Sequence, residues 1–304
     1  MVESLRGGVI GAGVFGGYHA RQYARLEGVV LSAVLDPHPE RAAKVAMPLG
    51  GRAFHDLDRF LEAVDVVTVA SPASLHAEHA LAALAAGKPV YVEKPLAITL
   101  DAAEAIRARA EAMGLIVACG HQERVVFAAM GLLDAPEAPL RLEALRHGPV
   151  SPRSQDVSAV LDLMVHDIDL ALSLSPSAPS GAVTARGGWD AVTARAAFAD
   201  GFEASFDVSR QAPERKRTMR VVFPSGEVEI DFVARTFRNT TPFPLNPDFA
   251  DTPAGQDPLG ASVESFLLAV RGRAPRPVVT ADEAIRALAL ALGVEQAAGI
   301  EPRA

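Results

Sequence analysis

The run Asp162–Leu163–Met164–Val165–His166–Asp167–Ile168–Asp169 sets one imidazole among three carboxylates within eight residues. Val157, Val160, Leu161, Met164, Ile168, Leu170 and Leu172 recur around it at roughly helical spacing, which predicts a helix running to about residue 174. On a helix Asp162 and His166 lie one turn apart on a shared face, and Asp169 follows on that face. A carboxylate one turn from an imidazole holds its tautomer and stabilises its protonated form. That suits a general base taking a proton from a hydroxyl. Reading Asp162, His166 and Asp169 as a metal site would require a second ligand cluster, and none is recognisable in the chain.

Oxidising a hydroxyl requires a hydride acceptor, and the amino-terminal stretch offers a place for one. Val9–Ile10 leads into Gly11–Ala12–Gly13–Val14–Phe15–Gly16, a GxGxxG that follows a predicted strand and opens a predicted helix at residues 18–26. In this pattern Gly11 permits a tight turn, Gly13 admits a pyrophosphate close to the backbone, and Gly16 lets helix and strand pack closely. The helix N-terminus then supplies N–H groups and a positive dipole to the phosphates. A second strand, residues 29–35, ends in Asp36, twenty residues after Gly16, where a carboxylate accepts hydrogen bonds from the adenosine ribose. A 2′-phosphate would meet a like charge there, and the nearest following arginine, Arg41, is five residues on, so NAD is favoured over NADP.

The elements that position these groups alternate. A short strand at 52–54, a helix at 57–63, a buried strand at 64–70 and an Ala-rich helix at 76–86 follow in order. A strand at 89–92, a helix capped by Thr99 or Asp101 and closed by Gly114, and a sixth strand at 115–119 complete the series. Such alternation means a parallel sheet with helices on both faces, whose ligands bind outside the C-terminal strand ends. Ser71, Pro72, Glu93, Lys94 and Gly120–Gln122 all fall at such ends. Lys94 is either a solvated surface lysine or an ammonium placed near substrate hydroxyls and a cationic nicotinamide.

From about residue 140 the pattern changes. Residues 140–145 alternate as a strand does, and a loop at 147–156 carries Arg153 ahead of the central helix. Hairpins follow around Asp200–Gly201 and Pro224–Ser225–Gly226, each with one apolar and one polar face, which makes an α+β domain. Composition favours a solvated polar face over a subunit interface. Residues 239–258 read as an irregular Pro-rich loop, and helices at 260–270 and 282–298 end the chain.

With 304 residues, 49% apolar and 22% charged, the chain is long enough for two ordinary globular domains. A net charge of −8 provides no basic field for general nucleic-acid or acidic-membrane binding. A single cysteine, Cys119, excludes an intramolecular disulfide framework and suits a reducing compartment. Without a signal-peptide core or a spanning apolar run, a soluble cytoplasmic protein is expected.

Gly11–x–Gly13–x–x–Gly16, Asp36, Glu93–Lys94–Pro95 and Asp162–x–x–x–His166, in that order, resemble the glucose–fructose oxidoreductase, inositol dehydrogenase and MocA-like (Gfo/Idh/MocA) family over nearly the whole chain. The resemblance implies an α/β Rossmann domain, residues 1–122, and an α+β domain, residues 123–280, built on an open, mainly antiparallel sheet. The last helix, 281–299, would pack back near the Rossmann domain. It also implies a catalytic constellation of Lys94, Asp162 and His166, a Lys94–Pro95 peptide that is often cis, and a homo-oligomer, dimer or tetramer, formed through the sheet. Cofactor contacts are expected from Gly11, Gly13, Val14, Phe15, Gly16, Asp36, Ser71, Pro72, His76, Glu93, Lys94 and Gln122.

Within that family, residues 156–169 resemble the UDP-N-acetylglucosamine 3-dehydrogenase subgroup, as does Gly120–His121–Gln122–Glu123–Arg124. Val125–Val126–Phe127 stands where that subgroup carries Phe-Asn-Pro. The subgroup's reaction is oxidation of the sugar 3-hydroxyl with NAD, ahead of an aminotransferase, for lipid A bearing amide-linked chains. On that reading His166 is the base, Asp162 orients it, Lys94 hydrogen-bonds the developing alkoxide, and these three contact the sugar. Arg124 and Arg153 are then candidate diphosphate ligands, because a guanidinium fork matches phosphate oxygens. The competing readings are a dehydrogenase of a free polyol or sugar, such as inositol or glucose, and an NAD-binding regulator without turnover.

Overall fold

The computed structural model describes residues 4–150, 156–175, 177–181 and 183–301. The chain folds into two compact units, one of residues 1–120 with 259–285 and one of residues 121–258 with 286–304.

The first unit carries a six-stranded parallel sheet: β1 (Leu5–Ile10), β2 (Val29–Leu35), β3 (Arg52–Phe54), β4 (Val66–Val69), β5 (Val90–Val92) and β6 (Val117–Cys119). Their order, β3-β2-β1-β4-β5-β6, is that of a dinucleotide-binding fold with its switch point beside β1. Strands β4, β5 and β6 are buried at every position, as strands covered on both faces must be. Helices α1 (Val14–Arg25), α2 (Pro39–Ala46), α3 (Leu57–Glu62), α4 (His76–Ala85) and α5 (Leu100–Met113) connect them. Asp56 and Thr99 cap α3 and α5 through their side chains, accepting from Arg59 N and Ala102 N.

The second unit opens with α6 (Glu123–Met130) and builds a seven-stranded sheet from β7 (Arg141–His147), β8 (Thr184–Gly188), β9 (Ala191–Ala197), β10 (Glu203–Ser209), β11 (Lys216–Phe223), β12 (Gly226–Asp231) and β13 (Thr236–Asn239). The order is β13-β12-β11-β7-β10-β9-β8, with β7 and β10 parallel and every other pair antiparallel. Leu142, Ala144, Phe206, Val208, Met219, Val221 and Ile230 are buried on one face. That face receives α7 (Val165–Leu174) through β10, and α6 packs on α7. The other face presents Glu143, Arg195, Asp207, Arg220 and Glu229 around an open concavity of about 1170 Å³.

Two edge strands lie outside the sequence expectation. β8 has no apolar alternation, and β13 ends where the segment read as irregular begins. Within that segment a short helix, α8 (Pro253–Gln256), precedes α9 (Pro258–Val270). Residues 259–280, expected with the second domain, belong to the first unit. There Leu259, Val263, Phe266 and Leu267 join the core of Val9, Tyr23 and Tyr91, and the Tyr91 hydroxyl lies 3.0 Å from Ser262 Oγ. The last helix, α10 (Ala281–Ala297), begins in the first unit and continues in the second.

Candidate active site

The glycine-rich turn has the shape a pyrophosphate requires. Gly11 sits at φ +100°, and a Cβ there would lie 2.6 Å from the carbonyl oxygen of Ala70. A Cβ on Gly16 would fall 1.8 Å from the Gly11 carbonyl oxygen. Around Gly13, by contrast, nothing lies within 4 Å, so the backbone is open on the side where phosphates approach. Helix α1 begins at Val14, half exposed beside half-exposed Phe15, with no side-chain cap and no acid in its first turn. Its leading N–H groups and positive end are left for an anion. Asp36, buried at the end of β2, accepts from Ala12 N at 2.8 Å and His38 N at 2.9 Å. These bonds tie the turn to the residue expected at the ribose and leave the remaining carboxylate lone pairs for ligand hydroxyls.

Three further strand-end residues are held in place. Glu93 is buried, its Oε1 2.7 Å from His19 Nε2 on α1. Burial raises its carboxyl, but the imidazole of His19 and the ammonium of Lys94 outweigh this and hold it below the usual range. Lys94 is half-buried, and the Lys94–Pro95 peptide is cis. Half-buried Ser71 lies with its Oγ 2.9 Å from His79 Nδ1, ahead of exposed Pro72. His76, expected at the cofactor, lies against two backbone carbonyls. Its Nδ1 lies 2.7 Å from the Pro95 carbonyl oxygen and its Nε2 3.0 Å from that of Ser71. Burial pushes its pKa down, so the ring is neutral and donates its single N–H to one of these carbonyls while the other nitrogen only lies against the second.

In the second unit the predicted helix is present, but it starts with a π-helical turn, Val160–Met164, in which Val165 N donates back to the Val160 carbonyl. Ser158 anchors that start: its Oγ accepts from Val160 N and Leu161 N and donates to Glu295 on α10. The wider turn carries Asp162 and the regular α7 carries His166, so the pair does not keep the even spacing of a uniform α-helix. Asp162 Oδ2 stands 3.8 Å from Arg210 Nη1, and Arg210 also donates to the Val157 carbonyl and to Asp190.

His166 also meets a carboxylate that spacing along the chain does not suggest. Its Nδ1 lies 2.6 Å from Glu123 Oε2 on α6. Behind Glu123 stands Arg146, only 2% exposed, with Nη1 2.9 Å from Glu123 Oε1 and Nη2 2.8 Å from Asp167 Oδ1. Burial alone would raise Glu123, yet the charges of His166 and Arg146 hold its carboxyl well below the usual range. Burial likewise acts against Arg146, but Asp167 and Glu123 prevail and raise its pKa further. The result is a relay of alternating charge, Asp167, Arg146, Glu123 and His166, enclosed at Asp167 and Arg146 and partly open at Glu123 and the imidazole. Such an arrangement of charge favours the protonated imidazole, although Nδ1 is not aligned with Glu123 for a hydrogen bond, and a base gains from that support once it has taken a proton.

Arg124, expected at a diphosphate, is buried instead, its fork on Asp169 at 2.5 and 3.1 Å. The pairing engages Asp169 as well. Arg153 lies outside the described residues. Gln122 starts α6, and its neighbour His121 is buried with its ring 6.2 Å from that of His166. Burial drives the His121 pKa down to about 4, so it is neutral at physiological pH.

A family model described as an oxidoreductase family with an NAD-binding Rossmann fold matches residues 5–121. Over 286 residues, 89% of this chain and 90% of the relative, the sequence is 36% identical to a UDP-N-acetylglucosamine 3-dehydrogenase of Acidithiobacillus ferrooxidans. This chain belongs to the Gfo/Idh/MocA oxidoreductases. A solved structure of the Acidithiobacillus enzyme superposes with a TM-score of 0.87 at 35% identity, covering 97% of this chain and 98% of that one. An inositol 2-dehydrogenase of Acidothermus cellulolyticus is 36% identical over 188 residues, 55% of this chain and 52% of its own. GenD2, from gentamicin A biosynthesis and solved with NAD, is 25% identical with a TM-score of 0.83 over 98% of this chain and 95% of its own. As a Gfo/Idh/MocA oxidoreductase the protein is an NAD-dependent enzyme, and the open face of Gly13, the uncapped start of α1 and buried Asp36 fit that cofactor. Glu123 and Arg146 are the site residues that sequence reasoning missed. The only signal for Glu123 was its place in the Gly120–Arg124 segment, where it had no assigned role.

Proposed function

We propose that this enzyme oxidises a sugar hydroxyl with NAD, and that the sugar is UDP-N-acetylglucosamine, taken to its 3-keto form. One observation carries the substrate: similarity to the UDP-N-acetylglucosamine 3-dehydrogenase runs through both units, whereas similarity to the inositol dehydrogenase covers 55% of the chain. When bound, NAD supplies the two-electron acceptor for the alcohol. His166 takes the hydroxyl proton, and Glu123, backed by Arg146, stabilises the imidazolium. Asp162, kept beside Arg210, orients the sugar and the ring. Lys94 donates a hydrogen bond to the oxygen as it gains charge. A 3-keto nucleotide sugar is the natural substrate of an aminotransferase, so the enzyme acts ahead of one in cytoplasmic synthesis of a 3-amino sugar for lipid A.

The test is NADH formation by purified protein with UDP-N-acetylglucosamine, inositol and glucose in parallel, with a carbonyl trap to draw the equilibrium forward. Turnover is expected with the nucleotide sugar alone and should disappear in His166→Ala. Turnover with a free polyol only would overturn the substrate, and NAD binding with no turnover on any of the three would turn the reading toward a regulator.

A further inference from the structure

Four arginines surround the His166 relay, and three are paired: Arg124 with Asp169, Arg146 with Asp167 and Glu123, and Arg210 with Asp190. The fourth, Arg217, is different. It is the second residue of β11 and stands directly opposite Arg146 in the β7–β11 register, so both side chains rise from the helix-bearing face of the sheet. Its Nε is enclosed and has no hydrogen-bond partner among the described residues, although the residue as a whole is only half-buried. Folding rarely leaves a buried N–H of a charged group unpaired, because water's acceptors have been given up for nothing.

Among the described residues none supplies the missing acceptor. Arg146 presses a like charge on Arg217 from across the strand pair, and Glu123 and Asp167 are already engaged by Arg146. The preceding residues, Arg215 and Lys216, are exposed cations, so the start of β11 carries three positive charges in a row on a chain whose net charge is −8. A fork with one enclosed, unsatisfied edge and an open end matches tetrahedral oxyanions, which accept two parallel N–H bonds and tolerate flanking cations.

We propose that Arg217 binds a phosphate of the substrate, filling the diphosphate role for which Arg124 is unavailable. This deepens the nucleotide-sugar reading and rests on it for the identity of the ligand. The site is within the second unit and sits beside Glu123, so it anchors the phosphate end of a nucleotide sugar on the element that faces the base's own partner.

The experiment titrates NAD-saturated protein, whose cofactor cradle is filled, with inorganic pyrophosphate and with UDP by calorimetry, in wild type, Arg217→Met and Arg217→Lys. Wild type should bind both, Arg217→Met should lose about tenfold or more in affinity, and Arg217→Lys, which keeps charge without the fork, should fall between. In steady state the Arg217→Met loss should fall on KM for UDP-N-acetylglucosamine more than on kcat, leaving KM for NAD in place. Equal pyrophosphate affinity in all three proteins, or no binding by wild type, overturns the site; so does a loss confined to kcat. Should Arg217→Met not fold, the Arg217→Lys titration alone decides. Arg217-dependent pyrophosphate binding without turnover of the nucleotide sugar would sink the substrate and keep the anion site. Turnover indifferent to Arg217 would do the reverse.

Discussion

At the scale of single residues, the chemistry depends on which charge His166 feels. Glu123 is an anion 2.6 Å from Nδ1, so it favours the imidazolium. In Glu123→Gln that support disappears, and the ring holds its proton less readily. The acid limb of the pH profile of kcat/KM should then move to lower pH by about one unit, while the plateau falls about tenfold because the base is weaker. A profile unmoved by the substitution would show that Asp162, not Glu123, governs the ring. His121 offers a separate test, of stability. Burial depresses its pKa to about 4 in the folded protein against 6.5 unfolded. Between those values the unfolded chain binds a proton that the folded one refuses, so stability falls as pH drops from about 6.5 to 4, by roughly 3 kcal/mol. Urea midpoints at pH 7 and pH 4.5 should drop further in wild type than in His121→Gln. A parallel drop in both would remove His121 as the cause.

At the scale of elements, the glycines of the first turn separate two jobs. Gly13→Ala adds a methyl to open space at ordinary backbone angles, φ −74° and ψ −168°, so thermal stability should hold while NAD affinity falls about tenfold through the blocked phosphate approach. Gly16→Ala places its methyl 1.8 Å from the Gly11 carbonyl oxygen, forcing β1 and α1 apart, so both the melting temperature and NAD affinity should drop. Thermal melts and NAD titrations read both, and a stable Gly16→Ala with full affinity would contradict the packing described. The same turn shows what sequence makes legible. Glycine spacing, alternating apolar strands and capping residues are local signals, and they carried the six parallel strands, the Thr99 cap and the central helix. Strands β8 and β13 were not legible because an edge strand needs no apolar stripe, and Thr184–Gly188 has none. The π turn hides because widening by one residue changes no residue type. Glu123 and His166 sit on different helices, and Arg124 meets Asp169 only through tertiary packing, so spacing along the chain says nothing of either pair.

At the scale of the whole molecule, the uncovered face of the second sheet stands out. Glu143 with Arg220, Arg220 with Glu227, and His147 with Asp207 pair across neighbouring strands there, around the concavity of about 1170 Å³. Composition alone favoured water for this face. The family resemblance implies another copy of the chain, and we propose a homo-oligomer assembled through it. Light scattering on eluting protein should then give at least twice the chain mass of 31.9 kDa, and reversing charges with Arg220→Glu should shift the population toward monomer. A monomer at every concentration would return the face to solvent.

The buried guanidinium of Arg146 has a consequence for how the site divides its work. The support of the base comes from β7, α6 and α7, interior elements that are costly to alter once a charge is enclosed among them. The chain around the start of β11 is largely exposed. With Arg217 as the proposed phosphate anchor, support of the base therefore rests on enclosed elements and the hold on the phosphate on a more open one.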